Sequence, residues 1–255
     1  MELIKTTVKM GNSAGILLPK KYLNSQVKVI LEPLNIEKDV LEILLEENLL
    51  SEIIGIYITG SYTRGEQSIE SDIDILVITS KTEKRIKKEK YDLLLVTEET
   101  LEKQLKNNIM PLLPMIIEAK PIINKNLLEN YKNTKLTKKN LKWHLEITKS
   151  GLKVNKAALK VGIEMGSNKI SDAIAYSLIL HLRSLYIVDK LMKNKTWSNK
   201  KLIALIKKIT GSTLAYEGYQ RAKADKKMRD ELPINEAEKL YEYLINEIKK
   251  QEKSI

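Results

Sequence analysis

The residues best equipped for chemistry lie between positions 60 and 92. Gly60-Ser61 closes a β-branched run, Ile53-Ile54-Gly55-Ile56-Tyr57-Ile58-Thr59, and after ten further residues Asp72-Ile73-Asp74 leads into another, Ile73-Asp74-Ile75-Leu76-Val77-Ile78. In a strand, positions i and i+2 share a face, so Asp72 and Asp74 point to one side while Ile73, Ile75 and Val77 face a core. Two carboxylates so placed can share hard divalent cations, which take oxygen ligands and leave room for water and a triphosphate. The Gly-Ser turn can bring backbone N–H groups and a hydroxyl close to a phosphate, because glycine permits an approach that a Cβ would block. A third acid, Asp92, sits in the apolar run Tyr91-Asp92-Leu93-Leu94-Leu95-Val96, where it is costly unless paired or metal-bound. If that strand neighbours the Asp72–Asp74 strand, the three acids form a clamp for two metals. An inline attack by a hydroxyl on an α-phosphate would then release pyrophosphate. An Asp-x-Asp pair alone is a weak signal, since strand-end aspartates are commonly just solvated.

Composition narrows the alternatives. The chain has 255 residues, no cysteine and two histidines, so disulfides, thiolate metal sites and cysteine nucleophiles are excluded and imidazole chemistry has little scope. No apolar run approaches the roughly 18 residues of a membrane span. The first residues, Met1-Glu2-Leu3-Ile4-Lys5, do not read as a signal peptide, and a soluble cytoplasmic protein is expected. A formal charge of +11 favours polyanionic partners such as nucleic acid or nucleotide phosphates, although a general lysine bias produces the same number.

The elements that must position the acids form an α+β chain with three parts. Residues 1–34 read as short strands around a Gly11-Asn12-Ser13 turn, too few to bury a core alone. Residues 35–131 read as a mixed α/β domain: an amphipathic helix from about Ile36 to Glu52, three strands, and a helix capped by Thr97 ahead of Glu98 and Glu99. Residues 132–255 read as a separate helical domain, in which strand signals vanish from Leu136 onward. Helices are expected over about 137–161, 169–193, 198–209, 212–230 and 235–252, which together read as a bundle.

With these residues in place, the chain resembles the nucleotidyltransferase superfamily of the DNA polymerase-β fold, and most closely its minimal members, whose signature is Gly-Ser, ten residues, then Asp-x-Asp. Gly60-Ser61 and Asp72-Ile73-Asp74 match that spacing, Arg64-Gly65 matches the Arg-Gly often found between them, and Asp92 falls where the third acid sits. The resemblance, over about 36–131, implies a mixed sheet. It also implies transfer of a nucleoside monophosphate, with AMP favoured, from a nucleoside triphosphate to a hydroxyl on a protein, RNA or small molecule. Asp72, Asp74 and Asp92 would hold two Mg2+ ions, and Gly60, Ser61 and Arg64 would bind the nucleotide. Small prokaryotic members include aminoglycoside-modifying enzymes and antitoxins that modify a partner toxin.

Residues 5–32, with their Gly-Asn-Ser and Leu-Pro-Lys elements, resemble the MazE/AbrB/SpoVT swapped-hairpin domains. That resemblance implies a homodimer whose interleaved strands complete one barrel, with Lys5, Lys9, Asn12 and Ser13 approaching DNA. A dimerisation arm without DNA binding is the plainer reading. The corresponding alternative for the whole chain is a dimeric DNA-binding regulator whose transferase fold has lost turnover.

In the helical part, Lys132, Lys135, Lys138, Lys139, Lys142, Lys149, Lys153, Lys156 and Lys160 read first as a solvated face and second as a nucleic-acid or triphosphate groove. The segment from Asp172 to Tyr186 resembles helical domains that follow nucleotidyltransferase modules, including HEPN proteins. Neither His144 nor His181 has the preceding arginine of HEPN ribonucleases, so no ribonuclease activity is expected. His181 and Arg183 read as a packed or surface pair, with Arg183 and Tyr176 able to hold substrate if a cleft forms between the domains. Trp143 and Trp197 read as core or interface.

Overall fold

The computed structural model describes residues 5, 7–29, 35–68 and 71–254, with only the backbone of Lys9. The chain divides into two compact units, Met1–Lys38 and Asp39–Ile255. In the first, β1 (Val8–Met10) and β2 (Ser13–Gly15) pair antiparallel, Met10 opposite Ser13, across a turn where Gly11 has φ +60°. Ile4 and Thr6 of the expected first strand, and residues 30–32 of the expected closing strand, lie outside the described residues; residues 27–29 are described and are not in a strand.

The division falls within α1 (Ile36–Glu46), whose Val40, Ile43 and Leu44, all in the second unit, are buried. The apolar pattern predicts this helix as far as Glu52, but it stops at Glu46. Asn48 adopts φ +59°, and the Asn48 and Leu49 N–H groups return to the Leu45 and Leu44 carbonyls, a left-handed cap that satisfies the last carbonyls.

The chain then runs through β3 (Ile53–Thr59), α2 (Ser61–Arg64), β4 (Ile73–Thr79), β5 (Lys84–Lys88) and β6 (Tyr91–Thr97). It continues through α3 (Glu98–Asn107), α4 (Leu112–Glu118), β7 (Lys120–Ile123) and α5 (Lys125–Lys132). The strands form a mixed sheet in the order β5-β6-β4-β3-β7, in which β4 and β6 are parallel and the other neighbours antiparallel. The outer strands explain why they leave little trace in the sequence. β5 is Lys84-Arg85-Ile86-Lys87-Lys88 with only Ile86 buried, and β7 contains Pro121; charge and proline are what protect a sheet edge.

β4 is central. Ile73, Ile75 and Val77 are fully buried as their spacing predicts, and Leu76 and Ile78 on the opposite face are buried as well, because a central strand is covered on both sides. Asp72 and Asp74 share the face of Leu76 and Ile78, the side that packs on Leu101, Leu105, Leu112 and Leu113.

Beyond α5 come α6 (Lys138–Glu164), β8 (Lys169–Ser171), α7 (Asp172–Met192), α8 (Asn199–Thr210), α9 (Leu214–Lys223), β9 (Asp230–Pro233) and α10 (Ile234–Glu252). Thr137 and Asn140 close a reciprocal cap on α6, and Ser198 caps α8. Helices form at each expected position, but the one expected over 212–230 stops at Lys223, and residues 169–171 and 230–233 are strands. β8 and β9 pair antiparallel with Ile170 opposite Leu232, both buried in the bundle core. A ladder this short shows no twofold alternation by which a sequence could reveal it. No helix among the described residues is long and apolar enough to cross a membrane.

Two cores hold the unit together. One lies within the bundle; the other joins Tyr57, Leu76, Ile78 and Val96 of the sheet to Leu141, Ile187, Val188 and Leu191 of the helices and to Trp197 between α7 and α8. The sheet and the bundle therefore share buried surface. Within the bundle, Asp172 is fully buried at the start of α7. Its carboxylate accepts two hydrogen bonds of 2.8 Å from the Arg221 guanidinium and one of 2.9 Å from the Arg229 N–H.

Candidate active site

The sheet register assembles the acids. In the parallel β4–β6 pair Asp74 stands beside Asp92, and in the antiparallel β3–β4 pair Thr59 stands beside Asp74. Asp72 is exposed at the strand entrance, Asp74 is half-buried and Asp92 is buried. Gly60 follows β3 with φ +75° and ψ −147°, and a Cβ there would lie 2.1 Å from Oδ2 of Asp74. That backbone region is essentially reserved for glycine, and the contact shows what the glycine does: it lets the turn lie directly against the Asp74 carboxylate.

Electrostatics mark Asp74 as the strained member. Burial raises its carboxyl above the ordinary value and the Asp92 and Asp72 charges push the same way, while Lys223 and Arg183 oppose them. Two cations from α7 and α9 thus face the acids from the bundle. Tyr219 beside them accepts a hydrogen bond from Arg183 at 3.4 Å and stacks between Tyr176 and Tyr216.

The remaining expected residues are differently engaged. Both Asp92 oxygens accept hydrogen bonds of 2.6 Å from Arg85 on β5, so the buried charge is paired, as its cost requires. The Arg85 side chain is itself 60% exposed. Arg64 donates to Glu118 and Glu66. Burial lowers its pKa, but the Glu118 and Glu66 carboxylates outweigh burial and raise it. The Gly60 N–H donates to Glu118 Oε1 at 2.8 Å. The Ser61 hydroxyl is half-buried and has no hydrogen-bond partner among the described residues. Lys5, Asn12 and Ser13 are exposed in the first unit.

Two acids that the sequence reading did not single out hold this turn in place. Glu118, the last residue of α4, accepts from Gly60, Thr59 and Arg64. An acid at a helix C-terminus opposes the macrodipole, and that mismatch is the sequence signal that could have drawn attention to it. Glu66 reaches the bundle: it accepts from the Ser198 hydroxyl at 2.6 Å and from the Asn199 N–H at the start of α8. Burial pushes the Glu66 carboxyl up, but the Ser198 and Asn199 hydrogen bonds and Arg64 hold it down at about 2, against an ordinary 4.5. A depressed carboxyl stabilises the fold above its unfolded pKa and loses that contribution as the pH falls towards the folded one. Glu66→Gln should therefore cost on the order of 1–3 kcal/mol at neutral pH. In urea titrations, the wild-type and variant midpoints should converge between about pH 4.5 and 2. A gap that stays constant with pH would show that the carboxylate charge contributes nothing.

Among the described residues no group of three or more His, Asp or Glu side chains is arranged as a metal-binding cluster. Asp72 and Asp74 still present hard oxygen donors on one face, with Asp74 under like-charge repulsion that a cation would relieve. These two acids fit an oxygen-ligated divalent ion; Asp92 would join only by exchanging Arg85 for it.

Residues 37–155 match the family model of the nucleotidyltransferase domain. The match takes in the whole five-stranded sheet and supports the nucleotidyltransferase superfamily for this part of the chain. Two solved structures are similar to it. A nucleotidyltransferase-like protein from Exiguobacterium sibiricum is 16% identical, with a TM-score of 0.39 over 85% of this chain and 75% of that one. Spectinomycin adenyltransferase AAD(9) from Enterococcus faecialis, solved with ATP and spectinomycin, is 14% identical, with a TM-score of 0.41 over 84% of this chain and 98% of that one. No curated protein sequence matches the chain.

Proposed function

We propose that the protein is a Mg2+-dependent nucleotidyltransferase that moves a nucleoside monophosphate, AMP before the others, from a nucleoside triphosphate to a hydroxyl acceptor. The observation that carries this reading is the placing of Asp74 beside Asp92, against Gly60 and opposite Arg183 and Lys223. Asp72 and Asp74 would hold the metal, with Asp92 completing a second site once Arg85 has moved aside. Bound there, magnesium supplies charge neutralisation of the triphosphate and a lowered pKa for the acceptor hydroxyl.

The chain's own residues do the rest. The unpartnered Ser61 hydroxyl is available to donate to a phosphate oxygen. Arg183 and Lys223 provide positive charge where the β- and γ-phosphates and the departing pyrophosphate accumulate negative charge. Arg64 acts through Glu118, fixing the turn that carries Gly60 and Ser61. The acceptor oxygen forms its bond to the α-phosphorus as the bond to the bridging oxygen breaks, and the hydroxyl proton passes to solvent.

One observation favours the alternative of a non-catalytic regulator: both oxygens of Asp92 are occupied by Arg85. On that reading Lys5, Lys9, Asn12 and Ser13 of a dimeric N-terminal hairpin would bind DNA, and the second unit would bind nucleotide or a partner protein. A single experiment separates the two. The protein is incubated with α-labelled ATP, GTP, CTP or UTP and Mg2+ in the presence of protein, RNA and small hydroxyl acceptors. Transfer of label with pyrophosphate release, abolished by EDTA, is expected, with ATP preferred. Absence of both products with every nucleotide and acceptor rejects the enzyme. Salt-sensitive binding of duplex DNA would then support the regulator.

A further inference from the structure

Beside Asp74 lies a cavity of about 470 Å³ whose walls come from the end of β3, α4, α6 and α7. Its size is in the roughly 300–1,000 Å³ range of small-molecule sites. Much of the wall is apolar: Trp143, Trp197, Met110, Met115, Ile147 and Leu180. Both tryptophans and both histidines of the chain line it.

The charged groups around it leave no free carboxylate besides Asp74. Glu118 already accepts from Arg64, Gly60 and Thr59, and Arg183 adds positive charge to the same wall. His144 is 4% exposed, and its Nε2 is buried without a hydrogen-bond partner. Burial, with His181 nearby, pushes the His144 imidazole down to about 4, and burial lowers His181 as well. Both rings are therefore neutral at physiological pH and add no charge to the wall. A polyamine entering here would give up its hydration and meet in return only Asp74, the acid proposed to hold the metal, and Glu118, already taken up by Arg64. An uncharged body would exchange water for apolar surface at no such cost.

We infer that this cavity takes an uncharged, largely apolar molecule bearing a hydroxyl, and that compounds of this kind are the acceptors of the proposed transfer. The acceptor role rests on the transferase reading; the binding preference does not.

The two tryptophans make occupancy directly readable. The full-length protein is titrated with 4-tert-butylcyclohexanol and 4-phenylcyclohexanol, and separately with the cations spectinomycin and kanamycin, while intrinsic fluorescence is followed. The alcohols should shift the emission saturably to the blue and bind at least tenfold more tightly than either cation. Ile147 and Leu180 are 47% and 42% exposed, so Ile147→Asp and Leu180→Asp should fold normally and weaken the alcohols tenfold or more. Tighter binding of the cations, no saturable alcohol signal, or displacement of the alcohol by ATP alone would each overturn the preference. Transfer assays with the same compounds separate the two claims. Label passing only to polycationic acceptors removes the acceptor class and leaves the transferase standing. Alcohol binding without transfer from any nucleotide removes the transferase and leaves the preference.

Discussion

Asp74→Asn should reduce nucleotidyl transfer by on the order of 10³-fold, the scale of removing one group that stabilises charge in a transition state, while leaving the fold as stable as before or more so. The two halves come from the same environment. Burial and the Asp92 and Asp72 charges all raise the Asp74 carboxyl. A carboxyl whose pKa is raised by folding destabilises the native state when it ionises, to an extent that grows as the pH rises above its unfolded value. The amide keeps the shape, stays clear of Gly60 and removes the repulsion. Transfer of label from the nucleotide, measured with the thermal midpoint of the same preparation, tests both. Activity within tenfold of wild type would remove Asp74 from the machinery. A fallen midpoint would mean that its charge is needed for folding.

The largest loss of stability is expected far from that carboxylate, at Asp172. Asp172→Ala would leave Arg221 with its ion pair to Glu231, at 2.9 Å, but without its buried partner, and would orphan the Arg229 N–H. Removing one partner of a buried pair costs about 3–5 kcal/mol, a fall in the thermal midpoint on the order of 10 °C for a chain of this size. The Arg221 hydrogen bonds hold the Asp172 carboxyl below its ordinary value, against the effect of burial, so the carboxylate is charged throughout the neutral range. Asp172→Asn should recover part of the loss, since an amide oxygen can still accept from Arg229. Unfolding monitored by circular dichroism measures both variants. A cost below about 1 kcal/mol for the alanine would show that this pair is no anchor. Activity should fall along with stability, because α7 carries Arg183 and α9 carries both Arg221 and Lys223.

What could be read from the sequence follows from how much of each element is buried. β3, β4 and β6 are apolar runs because a sheet interior demands them, and the bundle helices show 3.6-residue spacing because each buries one face. The Gly60-Ser61 and Asp72-Ile73-Asp74 spacing pointed to one site, and the register places Gly60, Asp74 and Asp92 together. The parallel pairing of β6 with β4 is a long-range fact that no local pattern encodes. β5, β7, β8 and β9 are short, edge-placed or lysine-rich, and so lack a period. The partners of the expected residues were hidden for the same reason: Arg85 lies on an edge strand, and Glu118 lies 58 positions from Gly60. The cavity residues Met110, Trp143, His181 and Trp197 are spread over four segments and become one surface only when α6 and α7 pack against the sheet.

The shared core between sheet and bundle bears on how such a protein can diversify. Ile187, Val188, Leu191 and Trp197 fill the same interior as Tyr57, Leu76 and Ile78, so the bundle is not an interchangeable cassette bolted onto a self-sufficient sheet. Recombination that brought in a foreign bundle would strip the sheet of part of its own interior. If the proposed transfer holds, new acceptors are more accessible to this scaffold through point changes at cavity positions that carry little of the fold, such as Ile147 and Leu180.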